Sequence, residues 1–449
     1  MTDSTPGNFT RRAALRTGAV LGVAAPLGAV GWTAEADQRS RQTAAPNRNS
    51  LRQAVSFLQL ATDAYATSGK RFVQSYYDGS GLGDIGFIYD NALTTIALLA
   101  AGDYTRAQGI GDGLLFAQAN DAAKDGRLRQ AYHADTFVNP DGSPHYGYEF
   151  GLVGTAVGDM SWTGLALAQL ARRTGKSRFL AGAVRIGEWI VDNTYSTTGL
   201  KGYTFGETAG LEDHKSTEHN IDVYALFTLL HQLTKDAAWK RYATHAWNFV
   251  EAVWNADDGF FWTGSDDGAA INKNPLQLPL DVQTWSWLAA RKEKYAGALD
   301  WARTNLATTD NPLRTNSALT GNYSVRGVGF ASGTFRTDVT KKIGGQDYNP
   351  LPDSGGVWFE GTGQLALSLG NRNRGSDRAR ADGLLDNIRS AQNNLGTGQT
   401  FGGKDAVGGV VAASSPIDTG FGFGYYQHRH TAATSWYVFA LTGFNPYVF

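Results

Sequence analysis

The sequence predicts an all-α protein: an (α/α)6 toroid of six inner and six outer helices, with long loops at the N-terminal end of the inner ring. Three observations predict it. Six nearly all-apolar helical stretches, opening near residues 90, 159, 218, 281, 358 and 431, alternate with amphipathic ones. Long loops precede each apolar stretch and short turns follow it. Five of the six apolar stretches open with a carboxylate. A helix apolar all round belongs in an interior, and one with a polar face belongs at a surface. Six buried helices pointing one way then form a ring whose starts share a common mouth. Six units without an atypical terminal repeat favour closure over an open solenoid of helix pairs.

Each element has its own justification. An outer helix is predicted over about 50–67, where Leu51, Val55, Leu58 and Ala61 recur at helical spacing. The first inner helix is YDNALTTIALLA, with Asp90 at its front; Gly102-Asp103 ends it, and an amphipathic helix runs to about Asn120. The second opens at Asp159 (MSWTGLALAQLARRTG), turns at Thr174-Gly175-Lys176, and its partner ends near Asn193. The third, STEHNIDVYALFTLLHQLTK from Ser216, opens on hydroxyls suited to capping and carries Glu218, His219 and Asp222 within two turns. Its partner covers about 236–254. The fourth begins at Asp281 (LDVQTWSWLAARK) with a partner to about Leu306, and the fifth near Trp358 (WFEGTGQLALSLG) with a partner to about Asn393. The sixth, HTAATSWYVFALTG, closes the chain.

Composition narrows the function. The 449 residues carry a formal net charge of −1, which makes no electrostatic case for nucleic acid or an anionic membrane surface. Cysteine is absent, which excludes disulfides, thiolate metal sites and a cysteine nucleophile. Thr10-Arg11-Arg12, a mildly apolar run from Ala13 to Trp32 and Ala34-Glu35-Ala36 together resemble a twin-arginine export signal over residues 1–36. The run is too poor in apolar bulk for a membrane span. Residues 37–48 read as a polar linker, and 49–449 as a single catalytic domain.

The inner-helix starts present Asp90, Asp159, Glu218 with His219 and Asp222, Asp281 with Gln283, Glu360, and His428 with His430. Capping and the helix dipole account for any one first-turn carboxylate. They account less well for Asp222, inside its helix, and for Glu360, which follows Trp358 and Phe359. Carboxylates crowded in a partly desolvated mouth raise one another's pKa, so that one keeps its proton while another ionises. That division of labour suits glycosidic cleavage. Trp162, Tyr224, Trp262, Trp285 and Trp358 lie near the same starts and offer faces for sugar rings. The chain has no H-E-x-x-H, no P-loop and no G-x-S-x-G. His428 and His430 lack an obvious third metal ligand. Asp257-Asp258-Gly259 and Asp266-Asp267-Gly268 read as turns around Phe260–Trp262 rather than as calcium loops.

The helix pair GDMSWTGLALAQLARRTGKSRFL, the closing helix, and the strings STEHNID, PLDVQTW and WFEGTGQ resemble the six-hairpin (α/α)6 glycosidase superfamily over residues 50–449. The mannanase-type family within it carries paired aspartates at one inner-helix start, where this chain has Asp159 alone. The resemblance implies the toroid and a carbohydrate substrate.

The expectation is therefore an exported glycoside hydrolase acting on a poly- or oligosaccharide. It needs no cofactor or metal, and no nucleic acid or membrane partner. Glu360 is the expected general acid and Glu218 or Asp222 the base, with Asp281 and Asp90 as alternatives. His219, Gln283, Asp159, Trp162, Trp262, Trp285, Trp358 and Tyr224 are expected to bind sugar. Two rival readings share this fold. A polysaccharide lyase would use Tyr425, Tyr426 or His219 as base and Arg429 or Lys215 to neutralise a uronate. A non-catalytic glycan binder would stack sugars on the aromatics and not require the carboxylates.

Overall fold

The computed structural model describes residues 45–65, 70–337, 342–343, 346–347 and 351–449. Residues 1–36 and most of the linker lie outside the described residues. Among the described residues twelve α-helices alternate as the apolar pattern requires. The inner ones are α2 (Ile88–Ala100), α4 (Val157–Thr174), α6 (Thr217–Thr234), α8 (Leu280–Ala290), α10 (Phe359–Arg372) and α12 (Thr431–Thr442). The outer ones are α1 (Ala45–Asp63), α3 (Tyr104–Asn120), α5 (Ser177–Thr194), α7 (Ala237–Ala252), α9 (Gly297–Asn305) and α11 (Asp377–Asn394). α1 starts and stops earlier than its apolar spacing suggests, so residues 45–48, read as linker, are its first turn.

Each inner helix packs on the next, and α12 packs on α2. The ring is therefore closed rather than an open solenoid. α1 packs on α12, joining the two ends of the domain. Five inner helices stop on a left-handed residue: Gly175, Lys235, Arg291, Asn373 and Gly443. That geometry reverses the chain in a short turn and sends it straight into the outer partner.

The loop end is held by a sixfold hydrogen-bond girdle. In every inner helix the fourth residue accepts a backbone N–H from the loop before it. Val73 donates to Asn91 Oδ1 (2.8 Å), Leu128 to Met160 Sδ (3.3 Å) and Tyr203 to Asn220 Oδ1 (2.9 Å). Phe261 donates to Gln283 Oε1 (2.9 Å), Val328 to Thr362 Oγ1 (3.2 Å) and Val410 to Thr434 Oγ1 (2.9 Å). Two residues further along each loop, a carbonyl accepts the first N–H of the preceding inner helix, a donor with no partner inside its own helix. These bonds run from Ile88 to Gln130, Val157 to Phe205, Thr217 to Thr263, Leu280 to Phe330 and Phe359 to Ala412. The last, Thr431 to Ser75 at 3.0 Å, closes the circle. With the fourth residue of each first turn tied to a loop, the second and third residues are left to face the axis.

The opposite end is plugged by the C-terminal segment. Gln169 Nε2 donates to the carbonyls of Pro446 (3.1 Å) and Val448 (2.9 Å), and Asn445 Nδ2 to that of Leu288 (2.8 Å). This carries Tyr447 into the barrel, where it is 1% exposed. The Asp-Asp-Gly stretches are turns, as expected: Gly259 (φ +75°) links paired strands Trp254–Asn255 and Phe260–Phe261. Among the described residues no helix is long and apolar enough to cross a membrane.

Candidate active site

At the girdle end the inner-helix starts enclose an open cavity of about 1100 Å³. Asp90, Asp159, Glu218, Asp281 and Glu360 all line it, each the second or third residue of its helix. α12 brings no carboxylate; the residue before it, His430, lines the cavity instead, with Nε2 3.1 Å from Asp90 Oδ2 and its ring stacked on Tyr76 at 4.2 Å.

The five carboxylates are not equivalent. Tyr89 donates to Glu360 Oε1 at 2.5 Å, and Trp436 Nε1, which can only donate, gives its hydrogen to the Tyr89 oxygen at 3.0 Å, leaving the Tyr89 hydrogen for Glu360. Gln364 Nε2 adds a longer contact to the same Oε1 (3.3 Å). Glu360 Oε2 is buried without a partner. Burial pushes the Glu360 carboxyl up to about 7, while His430 and the Tyr89 hydrogen bond pull the other way. Glu218 has no such relief. Burial and then the charges of Asp281, Asp222, Asp159 and Glu360 all push it well above the ordinary carboxylate range. Burial lifts Asp281 to about 7, against hydrogen bonds from backbone N–H groups, Val282 among them. Burial, then the charge of Asp90, lifts Asp159 to about 7.

The floor is aromatic. Trp162 and Trp285 line the cavity with ring centroids 5.3 Å apart. Below them, Trp436 stacks on Trp285 at 6.0 Å and Tyr447 packs on Trp162 at 5.0 Å. His219 also reaches the cavity, and burial lowers its pKa to about 4, so it is neutral. Its seat exists because residue 158 is glycine: a Cβ there would meet His219 Cδ2 at 2.4 Å. Trp358 lines the wall, stacked on Tyr425 at 5.8 Å.

Several expected site residues fall elsewhere. Asp222 is fully buried beneath the cavity, because one turn further along α6 lies below the mouth; Tyr447 donates to its Oδ1 at 2.9 Å, and burial pushes its carboxyl well above the ordinary carboxylate range. Gln283 is a girdle residue: its amide also donates to the carbonyls of Phe261 and Pro279, which leaves nothing for a sugar. Trp262 packs against Phe260 at 4.8 Å and Tyr224 against Trp247 at 4.8 Å; neither lines the cavity. The cations a lyase would need are engaged. Lys215 Nζ donates to the carbonyls of Thr198 (2.9 Å) and Gly268 (3.1 Å), and the Arg429 guanidinium to those of Gly396 and Gly409. Among the described residues no group of three or more His, Cys, Asp or Glu is placed to hold a metal ion.

Tyr89, Tyr76, Phe330 and the Phe421–Phe423 loop also line the cavity but were not legible as site residues. Tyr89 had a signal. It is the second residue of α2, the register that Glu218, Asp281 and Glu360 hold in their own helices.

No family model and no curated protein matches the sequence. Solved structures do match its fold. A wild-type glycosidase superposes with a TM-score of 0.57 at 13% identity, covering 90% of this chain and 98% of that one. A family 76 glycoside hydrolase α-mannanase from Bacteroides thetaiotaomicron gives 0.52 at 13% identity, covering 91% and 98%. An α-amylase from Clostridium perfringens gives 0.53 at 10% identity, covering 88% and 98%. At such identities the likeness establishes the fold alone, and the (α/α)6 toroid read from the sequence is the fold this chain has.

Proposed function

We propose that the protein is an exported glycoside hydrolase that cleaves a poly- or oligosaccharide, with Glu218 as general acid and Glu360 as general base. One observation carries the assignment. Glu360 receives the Tyr89 hydroxyl hydrogen, whereas only destabilising influences act on an ionised Glu218. Of the two, Glu360 ionises before Glu218. Glu218 then protonates the glycosidic oxygen as the bond to the anomeric carbon breaks. Glu360 takes a proton from the water that attacks the anomeric carbon, so the water oxygen becomes the anomeric hydroxyl while the glycosidic oxygen leaves as the hydroxyl of the other product. This exchanges the roles expected from the sequence. His219, neutral and beside Glu218, accepts or donates a sugar-hydroxyl hydrogen bond, and Trp162 and Trp285 lie under the sugar ring. The glycosidases of the same fold support this reading as analogues in architecture.

The test is reducing-end release by purified protein across a panel of cell-wall and storage glycans. Glu218→Gln and Glu360→Gln should each lower turnover by about 10²–10⁴-fold with helical circular dichroism unchanged. Full activity in either variant refutes the pair.

A further inference from the structure

The strand pair Ile417–Asp418 and Gly424–Tyr425 forms a hairpin whose tip, Thr419–Phe423, stands at the cavity mouth. The sequence there alternates glycine with aromatics: Gly420-Phe421-Gly422-Phe423-Gly424-Tyr425. Gly420 and Gly422 have φ of +81° and +87°, and a Cβ at Gly422 would meet nothing, so backbone conformation rather than space calls for glycine there.

Phe421 and Phe423 remain 37% and 45% exposed. Both nevertheless approach one ring, Phe330, at 5.9 Å and 5.8 Å. Phe330 packs on Trp358 at 4.6 Å, and Phe423 on Tyr425 at 5.7 Å. The rings thus run without a break from solvent to Trp358, two residues before Glu360, and all of them line the cavity. Two phenylalanines kept partly in water at the entrance of a catalytic cavity are not there for the core, since burial would stabilise them by about 1.5–3 kcal/mol each. Flat rings of this kind complement the C–H faces of pyranose units.

The electrostatics of the cavity select the type of glycan. Asp90, Asp159, Glu218, Asp281 and Glu360 face it, Asp266 stands at its rim, and the lining Lys215 ammonium is bonded to two carbonyls. A uronate or sulfate ester brought into that field meets five carboxyl groups, while Lys215 has two of its three N–H donors committed to carbonyls and His430 is held by Asp90.

We propose that Phe421, Phe423 and Phe330 form a distal subsite that stacks sugar units of a neutral polysaccharide remote from the bond cleaved, which makes the protein polymer-directed. This rests on the hydrolase reading above, but its binding test does not depend on turnover. The full chain is run by affinity electrophoresis through gels containing α-1,6-mannan, α-1,4-glucan, β-1,4-glucan, β-1,3-glucan, alginate or polygalacturonate. At least one neutral polymer should retard the wild type and the Glu360→Gln variant alike, and neither acidic polymer should. The double variant Phe421→Ala with Phe423→Ala should weaken that retardation at least tenfold. Leu313→Ala, which removes a 96% exposed side chain that does not line the cavity, should leave it unchanged. On the same sugar, the double variant should lose kcat/KM for the polymer at least tenfold and keep that for the disaccharide within about twofold. The subsite is overturned if the double variant binds as the wild type does, if the acidic polymers retard equally, or if no neutral polymer retards the wild type. Turnover surviving Glu360→Gln would instead overturn the catalytic assignment and leave the binding result standing.

Discussion

Replacing Tyr89 by Phe separates the two possible roles of Glu360. The substitution keeps the ring, which packs edge-on to Trp162 at 5.4 Å, and removes the hydroxyl that donates to Glu360 Oε1 at 2.5 Å. A hydrogen bond to a charged group is worth about 1.5–3 kcal/mol, and about 1.4 kcal/mol corresponds to one pH unit. The Glu360 carboxyl, already pushed up to about 7, should therefore titrate about one to two pH units higher in the variant. A general base must be ionised, so the acidic limb of the kcat/KM profile should move upward by that amount. At pH 7 the ionised fraction falls from about one half to between about a tenth and a hundredth, a loss of roughly 5- to 50-fold. Activity should recover as pH rises, until Glu218 loses its proton. The assay is the pH dependence of kcat/KM, which reports groups of the free enzyme. Were Glu360 the acid, the same substitution would extend activity on the alkaline side and spare it at pH 7. Either that pattern or an unmoved acidic limb refutes the assignment. The orphaned Trp436 N–H costs stability, which a melting curve measures separately.

Two further outcomes follow from the buried carboxyls. Asp222→Asn should retain turnover within about threefold, because Asp222 lies beneath the cavity, burial opposes its ionisation and an amide preserves the bond from Tyr447; a loss as large as that of Glu218→Gln would return Asp222 to the catalytic set. Stability should fall as pH rises from about 5 to 8. Asp159, Asp281 and Glu360 titrate at about 7, with Glu218 and Asp222 well above their ordinary range, so the folded state holds protons that the unfolded chain releases above about pH 4. Each such group removes at most about 1.4 kcal/mol per pH unit until its folded pKa is passed. Arginine-paired Asp63, Asp103 and Asp377, with lowered pKa values, give the opposite slope only in acid. Glu218→Gln should raise the melting temperature at pH 8, and a wild-type melting temperature that climbs from pH 5 to 8 would contradict the reasoning.

The toroid was legible because burial leaves its mark on local composition. The nearly all-apolar runs at Tyr89–Ala100 and Thr431–Gly443 carry apolar residues on every side, as an inner ring requires. The register of Asp90, Asp159, Glu218, Asp281 and Glu360 was legible for the same reason: a carboxylate in the first turn of a buried helix has nowhere to go but the mouth. Asp222 and Gln283 lie off the cavity because proximity along a helix says nothing about depth. One turn further along α6 lies beneath the cavity, and the fourth position of α8 belongs to the girdle.

The sequence by itself thus determined the helices, their alternation and the common end at which acidic side chains gather, since these follow from periodicity and from the cost of burying charge. Only the tertiary structure sets how the surroundings of these carboxyl groups differ. Tyr89 and Glu360 stand 271 residues apart, Tyr447 and Asp222 stand 225 apart, and a pKa is set by whatever surrounds the group in space.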